Sequence, residues 1–435
     1  MKKIILFWGM LFVLFMATSC LDKGGTTSTI ISEEAVITNF YLYNDSIEGI
    51  SDYDFIIDED SHLIYNYDSI AYGTRIDSLG FVITPRFSAI YINDSIDYYA
   101  VNEIFLDFSK EVKFTVVAAD EKTSADYHVK VNIHKVDPDT FIWQGVNSEV
   151  FAGKAESAKA VCFGEKLIYF AIVEGNLLVY ESVDGANWDA ITPVGLNVDL
   201  AKLDLNYLVG TEDFIGVCVE GKMYKSVDAV EWVLVETIGV EVERLLFALG
   251  DVFYGVTKEN NVARLEGLEW KILGKLPTEF PIKGEAVMVA PAPSGKERVF
   301  VVGGIDAEGN YLSSVWSSED GVYWSDMTEG KELFTPRAYT AVVQYSGGLM
   351  MFGGVDLSSK VVEDAHLFSK DYGLTWNDSN AKSKIGETYM PRYEHSAVVT
   401  PAGYIYLIGG RVSSETTIND VWQGLNYASL PGFKR

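Results

Sequence analysis

Short apolar runs, each closed by a polar turn, fill this chain from about residue 30 onward, without the three- and four-residue apolar spacing of a helix. Over the last two thirds the turns obey one rule. Ser369, Asp371, Gly373 and Trp376 form its fullest version. Ser318, Asp320, Gly321 and Trp324 repeat it, as do Ser182, Asp184, Gly185 and Trp188, and then Ser226, Asp228 and Trp232. A decayed copy runs through Glu266, Gly267 and Trp270. Ahead of each turn lies an apolar run such as 177–180, 315–316 or 366–368, and the turn leads into a second run ending in Trp, which predicts a hairpin.

Trp188, Trp232, Trp270, Trp324 and Trp376 are 44, 38, 54 and 52 residues apart. Periods of roughly 40 to 50 residues are those of four-stranded propeller blades. The turn chemistry agrees: an Asp carboxylate accepts hydrogen bonds from backbone N–H groups just ahead of it, and Gly tolerates positive φ. Trp then supplies a large apolar face to fill the wedge between blades. A Ser-Asp pair that recurs at turns is read as structural, so Ser369, Asp371, Gly373, Trp376, Asp320, Trp324, Asp184 and Trp188 are expected to build blades rather than perform chemistry.

Three later strands, 298–302, 349–352 and 404–408, are each closed by a Gly-Gly pair, at Gly303, Gly353 and Gly409. Pro336-Arg337 and Pro391-Arg392 stand ahead of two of them. This resembles the kelch repeat over about residues 286–424, in which Pro-Arg opens the first strand, Gly-Gly ends the second and an aromatic closes the fourth. The 369–376 segment separately resembles the Asp box of sialidase-like propellers. Upstream, 167–170, 214–218 and 252–255 take the second-strand position without Gly-Gly. The count is six blades, at about 155–200, 201–240, 241–284, 285–338, 339–393 and 394 to the end, with five or seven left open.

A propeller must close, because an open ring leaves unpaired strand edges. The last repeat has a third strand at 418–422 and only 425–431 to supply a fourth. Trp143-Gln144-Gly145 and Trp422-Gln423-Gly424 share one tripeptide, and 140–146 is expected to join the last blade as its closing strand.

The N-terminus reads as a signal. Lys2 and Lys3, an apolar segment over 4–16, and Ala17, Thr18, Ser19 and Cys20 resemble a bacterial lipoprotein signal, with Ala17 where such signals prefer Leu. The resemblance implies that residues 1–19 are removed and that Cys20 carries the lipid. Residues 20–29 then form a Gly/Thr/Ser tether, and membrane attachment is expected through lipid, since no segment reaches the roughly 18 apolar residues of a spanning helix. Residues 30–137 alternate with period two over 36–42, 81–83, 103–108, 112–117 and 127–133, predicting a β-sandwich. The stretch 106–131 resembles immunoglobulin- or cadherin-like modules of surface or periplasmic lipoproteins of the Bacteroides group. Asp137-Pro138-Asp139 is the expected hinge, followed by the propeller over 140–435. The fold class is thus all-β.

Charge narrows the partners. The chain has 34 basic and 62 acidic residues for a net of −28, and loss of the signal takes that to −30, which excludes binding nucleic acid by phosphate neutralisation. Asp-Ser pairs at Asp45, Asp68, Asp77 and Asp94, with Asp54, Asp58, Glu59 and Asp60 nearby, invite a calcium reading. They lack the spacing of a calcium loop and are read as turns, so no metal or cofactor is expected. Cys162 and Cys218 are expected as buried small hydrophobes in separate blades.

An enzyme would need more than these motifs. Sialidases use three arginines, a Tyr-Glu pair and an acid, and the propeller region holds Arg244, Arg264, Arg298, Arg337, Arg392 and Arg411. Arg337 and Arg392 already have repeat positions, and the others share no motif. Copper chemistry on a kelch propeller needs two His and two Tyr, and only His366 and His395 are present there. There is no nucleophile elbow and no phosphate-binding glycine loop. The sequence therefore points to a non-catalytic binding or scaffold lipoprotein of the outer membrane, capturing a glycan or nutrient or engaging a protein partner. A sialidase-like glycosidase is the alternative. Tyr311, Tyr339, Tyr372 and Tyr393 stand where sugars could stack, and none is assigned as a site.

Overall fold

The computed structural model describes residues 32–426 except 86–88, 102, 138–139, 212, 292–294, 363–365 and 379–382. The signal over 1–19, Cys20 and the tether over 20–29, Pro138 and Asp139 of the expected hinge, and 427–435 lie outside the described residues. Two compact units divide the chain near residue 133. Both are built of strands, and the helical pieces among the described residues are four three-residue 3₁₀ turns.

The first unit holds two sheets. Ile37–Tyr43 pairs with Leu79–Pro85, which pairs with Phe105–Leu106. The second sheet runs Phe55–Asp58, Leu63–Asn66, Ser124–Lys130, Val112–Val117, Ala89–Ile92 and Ile96–Asp97, with one parallel pair between Leu63–Asn66 and Ser124–Lys130. One hydrophobic cluster takes Phe40, Leu42 and Phe81 from the first sheet and Ile64, Phe114, Val116 and Val129 from the second. Alternation explains the choice: Val112, Phe114 and Val116 point inward while Lys113 and Thr115 do not. The run expected over 103–108 shrinks to two paired residues, with Phe105 exposed.

Among the described residues the second unit is six sheets in succession, antiparallel throughout except for one parallel pair between Ile238–Gly239 and Glu269–Lys275. Their inner strands are Ala155–Phe163, Val209–Gly210, Arg244–Leu249, Ala286–Pro291, Ala341–Tyr345 and Ser396–Val399. Each inner strand lies against the next, and the sixth lies against the first, so the ring is closed. Six hydrophobic clusters fill the six joints between neighbouring sheets. Every one of them includes a tryptophan, in turn Trp188, Trp232, Trp270, Trp324, Trp376 and Trp422. Trp324, for example, meets Phe247 and Phe280 edge-on at 6.0 and 4.9 Å.

One detail departs from the sequence reading. Trp188, Trp324 and Trp376 do not end the fourth strand; they precede it, the outer strands being Asp189–Ile191, Ser325–Asp326 and Asn377–Asp378. The indole N–H explains the placement, because it closes the turn by donating to Gly185 O at 2.8 Å and Gly321 O at 3.2 Å.

Phe141–Asn147 is the outer strand of the sixth sheet, antiparallel to Val421–Asn426. The shared tripeptides face each other: Trp143 opposite Gly424, Gln144 opposite Gln423 and Gly145 opposite Trp422. Glycine is required here. A Cβ on Gly424 would sit 2.3 Å from Cζ3 of Trp143, so the indole lies across bare backbone. The Trp143 ring also packs edge-on to Phe352 at 5.8 Å and donates to Ser383 O at 3.1 Å, both outside its own sheet.

Trp143→Ala is therefore expected to cost about 3 kcal/mol of unfolding free energy, whereas Ile142→Ala, on the exposed face of the same strand, should change it by less than about 0.5 kcal/mol. Urea unfolding of both variants checks this, and equal losses would remove the strand from its closing role.

Candidate functional site

The Asp turns consume their own polar groups. Asp184 Oδ1 accepts from the N–H groups of Ala186 at 2.9 Å and Asn187 at 2.8 Å, while Ser182 Oγ accepts from Gly185 N–H at 2.9 Å. Asp320 accepts from Val322 and Tyr323, and Ser318 from Gly321, at 2.8 to 3.0 Å. In the fullest copy Asp371 accepts from Thr375 N–H at 2.8 Å and Ser369 from Gly373 N–H at 2.7 Å. These donors hold the Asp184 carboxyl down at about 2, the Asn187 backbone N–H contributing most. Such a carboxylate is committed to clamping its own turn.

The arginines are equally committed. Arg244 pairs with Glu285 at 3.1 Å, Arg264 with Glu266, Arg298 with Glu319 at 2.5 Å, and Arg411 with Glu394 at 2.5 Å. Arg337 donates to Thr335 O and Gly353 O at 3.0 and 3.1 Å. Arg392 donates to Met390 O and Gly409 O at 2.9 and 3.2 Å and pairs with Asp420. Arg337 and Arg392 thus each grip the Gly-Gly pair that closes a strand. Gly353 must be glycine for that approach: its φ is 60° and a Cβ would lie 2.0 Å from Arg392 O. Among the described residues no three arginines converge on a common point as free donors.

His366, His395 and Cys218 are buried, whereas Cys162, expected to be buried, is only half-buried. His366 lies against Phe352 and Trp143, with ring centroids 5.5 and 6.2 Å away, and burial lowers it to about 4. Burial, with Arg392 and Lys159 nearby, lowers His395 to about 3. Cys162 and Cys218 are free thiols raised by burial. Among the described residues no group of three or more His, Cys, Asp or Glu is placed to hold a metal. In the first unit Asp58 instead accepts from Asp60 and Ser61 N–H at 3.0 and 3.1 Å.

A cavity of about 830 Å³ runs along the axis of the ring, walled by the inner strands of all six sheets. Its charged end is assembled where those strands begin, by Asp204, Tyr207, Glu285, Tyr339, Glu394 and Arg411. Burial raises the Glu285 carboxyl, with Arg244 opposing that shift. The Arg244 guanidinium lies 4.7 Å over the Tyr207 ring. Tyr207 and Tyr339 are both raised by burial, Tyr339 to about 12, so both are neutral phenols. Arg411 also donates to the carbonyls of Ala155 and Glu156 at 3.2 and 2.9 Å, fastening the sixth sheet to the first.

Of the four tyrosines considered from sequence, Tyr339 lines this cavity and its ring lies 6.4 Å from Tyr393, Tyr372 stacks on Phe300 at 6.0 Å, and Tyr311 bridges back to Ile305. Sequence reading missed Lys159, Asp204, Tyr207 and Glu285. The available signal was a lone Lys159 amid small apolar residues on an inner strand.

A closed ring of short antiparallel sheets around an axial cavity defines the β-propeller class. Residues 137–434 match the DUF6242 beta propeller domain, and residues 28–131 match the DUF6242 N-terminal domain, a domain of unknown function. The chain belongs to the DUF6242 family. Among solved structures it is similar to that of YjhT, with 11% identity, a TM-score of 0.49, and coverage of 63% of this chain and 96% of that one. No curated protein matches it.

The buried histidines set a pH dependence. Their folded pKa values lie below the unfolded value of about 6.5, so from pH 6.5 downward the unfolded chain binds protons that the native state refuses. Each therefore withdraws stability as pH falls and withdraws none above pH 6.5. Between pH 7 and pH 5 His366→Leu is expected to flatten the loss by about 2 kcal/mol relative to the parent, read from urea unfolding at each pH. Parallel pH profiles would show that His366 already protonates in the native state.

Proposed function

We propose that this chain is a lipid-anchored, non-catalytic binding or scaffold protein of the outer membrane that captures a glycan or nutrient, or engages a protein partner, in the axial cavity of a six-bladed kelch-like propeller. The observation that carries this reading is the cavity itself. Its volume lies in the range of small-molecule sites, neutral Tyr207 and Tyr339 stand at its charged end, and the arginines that could clamp a reacting carboxylate are already paired or bound to backbone carbonyls. Six successive sheets with six inter-sheet cores support the blade count. Two sheets sharing one core support an immunoglobulin- or cadherin-like sandwich for the first unit.

The lipid anchor rests on Cys20 and the signal ahead of it. No helix of the described residues is long and apolar enough to cross a membrane. With one lipidated residue as the anchor and a net charge of −30 once Lys2 and Lys3 are removed with the signal, the protein faces an aqueous compartment, whether at the cell surface or in the periplasm, and does not bind nucleic acid. The resemblance to Bacteroides-group lipoproteins supports the nutrient-capture role.

One observation favours a sialidase-like glycosidase as a second reading. Burial biases the Glu285 carboxyl toward its protonated form against the pull of Arg244, with the Asp204 carboxylate adding to that bias, and that is the property a general acid needs.

A glycan array and a fluorogenic glycoside panel, both run on the intact chain, separate the two. Retention of a glycan without release of fluorophore is the expected result. Turnover abolished by Glu285→Gln would overturn the non-catalytic reading, and a blank array across plant, host and microbial glycans would overturn glycan capture in favour of a protein partner. Independently, Cys20→Ala is expected to move the protein from the membrane to the soluble fraction of fractionated cells. Unchanged membrane association would remove the lipid anchor.

A further inference from the structure

Deeper in the cavity than the tyrosines lies a cation that no other group accounts for. Lys159 sits midway along the inner strand Ala155–Phe163, is half-buried, and lines the cavity. Its place is fixed by the neighbouring sheet: the N–H of Ala160 donates to Ser396 Oγ at 2.7 Å, which brings Lys159 near His395, the residue just ahead of the inner strand Ser396–Val399. Lys159 makes no hydrogen bond or ion pair among the described residues, and Asp204 is the one opposing charge it feels. Burial lowers its pKa, which is the cost of an ammonium removed from water without a counter-ion.

The rest of the lining does not neutralise it. Glu285 is spent on Arg244 and Glu394 on Arg411. Glu156 and Asp204 remain, against Lys159, Lys202 and Lys283, so the unpaired lining groups carry one net positive charge in a chain whose total is −28. Glu156 and Asp204 moreover accept backbone N–H groups of Gly175 and Asn206 at 3.1 and 3.0 Å, whereas Lys159 has no acceptor. The inner strands around it are sheet edges, whose outward N–H and C=O groups also require polar partners.

Resting on the binding-propeller reading above, we propose that the cavity takes a carboxylate-bearing sugar, with Lys159 as the counter-ion of the carboxylate and the edge backbone groups of the inner strands meeting its hydroxyls. One ammonium withdrawn from solvent, that of Lys159, and a net lining charge of +1 suit a monoanion. A phosphate dianion would be left with uncompensated charge and without the forked guanidinium donors such groups prefer, since every arginine nearby is committed.

Calorimetric titration of the intact protein with glucuronate, glucose, acetate and inorganic phosphate tests this. Glucuronate should bind at least tenfold more tightly than glucose or acetate, the first difference reporting the carboxylate and the second the sugar ring. Lys159→Met should lose that tenfold or more, while Lys159→Arg retains part of it. The Met variant is expected to fold, because an unpaired half-buried charge is replaced by an apolar chain of similar length, and its thermal midpoint verifies this. Glucuronate binding no tighter than glucose, unaltered affinity in Lys159→Met, or preference for phosphate would each overturn the proposal. Failure here with neutral glycans still retained on the array would leave the binding propeller standing, whereas a blank array would remove both.

Discussion

Closure of the ring is the constraint on which the second unit depends. Each sheet buries its faces against its neighbours, and the six hydrophobic clusters are all joints between sheets. A sheet of this kind has no core of its own, so an unclosed ring would leave two apolar faces and an open edge in water. The seam between the sixth sheet and the first is accordingly the most heavily fastened. Arg411 reaches the carbonyls of Ala155 and Glu156, Asn419 donates to Phe151 O and Gly153 O at 2.9 Å, and Ala160 N–H reaches Ser396 Oγ. The strand Phe141–Asn147 then covers the outer edge of the last sheet with residues that precede the first sheet in the chain. Beginning and end of the domain are thereby held in one hydrogen-bonded sheet.

The recurring turns serve that same constraint. Ser and Asp tie down the loop locally, which frees the Trp that follows to lie flat in the joint. Tyr406 makes the connection explicit, since its hydroxyl donates to Asp184 O at 3.2 Å while accepting from Gln423 at 2.6 Å, so a turn of the first sheet anchors a strand of the sixth. The turns face the joints and the outer rim, whereas the axial cavity is walled by inner strands that no Asp turn touches. A motif that suggests sialidase chemistry when seen once is, in four copies, a device for assembling sheets, and ligand chemistry has to be sought elsewhere in the ring.

What was legible in the sequence was mainly what is decided within about ten residues, together with one long-range pairing, across 279 residues, that a repeated tripeptide marked. The Ser-x-Asp turns, the Gly-Gly strand ends and the paired Trp-Gln-Gly segments all announce themselves because positive φ, carboxylate-to-amide bonding and a ring lying over bare backbone each demand a particular residue. The position of Trp at the head of the outer strand was not legible, because it depends on where the indole N–H finds a carbonyl. Nor were the short strands Phe55–Asp58 and Leu63–Asn66, whose pairing partners include Ser124–Lys130, some sixty residues away. The cavity was the least legible feature. Its lining comes from six strands, and Arg244 meets Glu285 across 41 residues without a motif to mark either.

The electrostatics of the cavity follow from this division between local and global. A surface with a net charge of −28 repels anions at long range, but screening limits that field to roughly 8 to 10 Å at ordinary ionic strength. Inside the ring the outcome is set by pairing at contact distance. The two arginines of the charged end neutralise the two glutamates nearest them, and Lys159, with no carboxylate in ion-pair contact among the described residues, stays uncompensated. Such an arrangement costs stability in the empty protein. A folded ring that needs Lys159 for none of its joints and still places it in the axial cavity gives that residue a role at the ligand rather than in the blade.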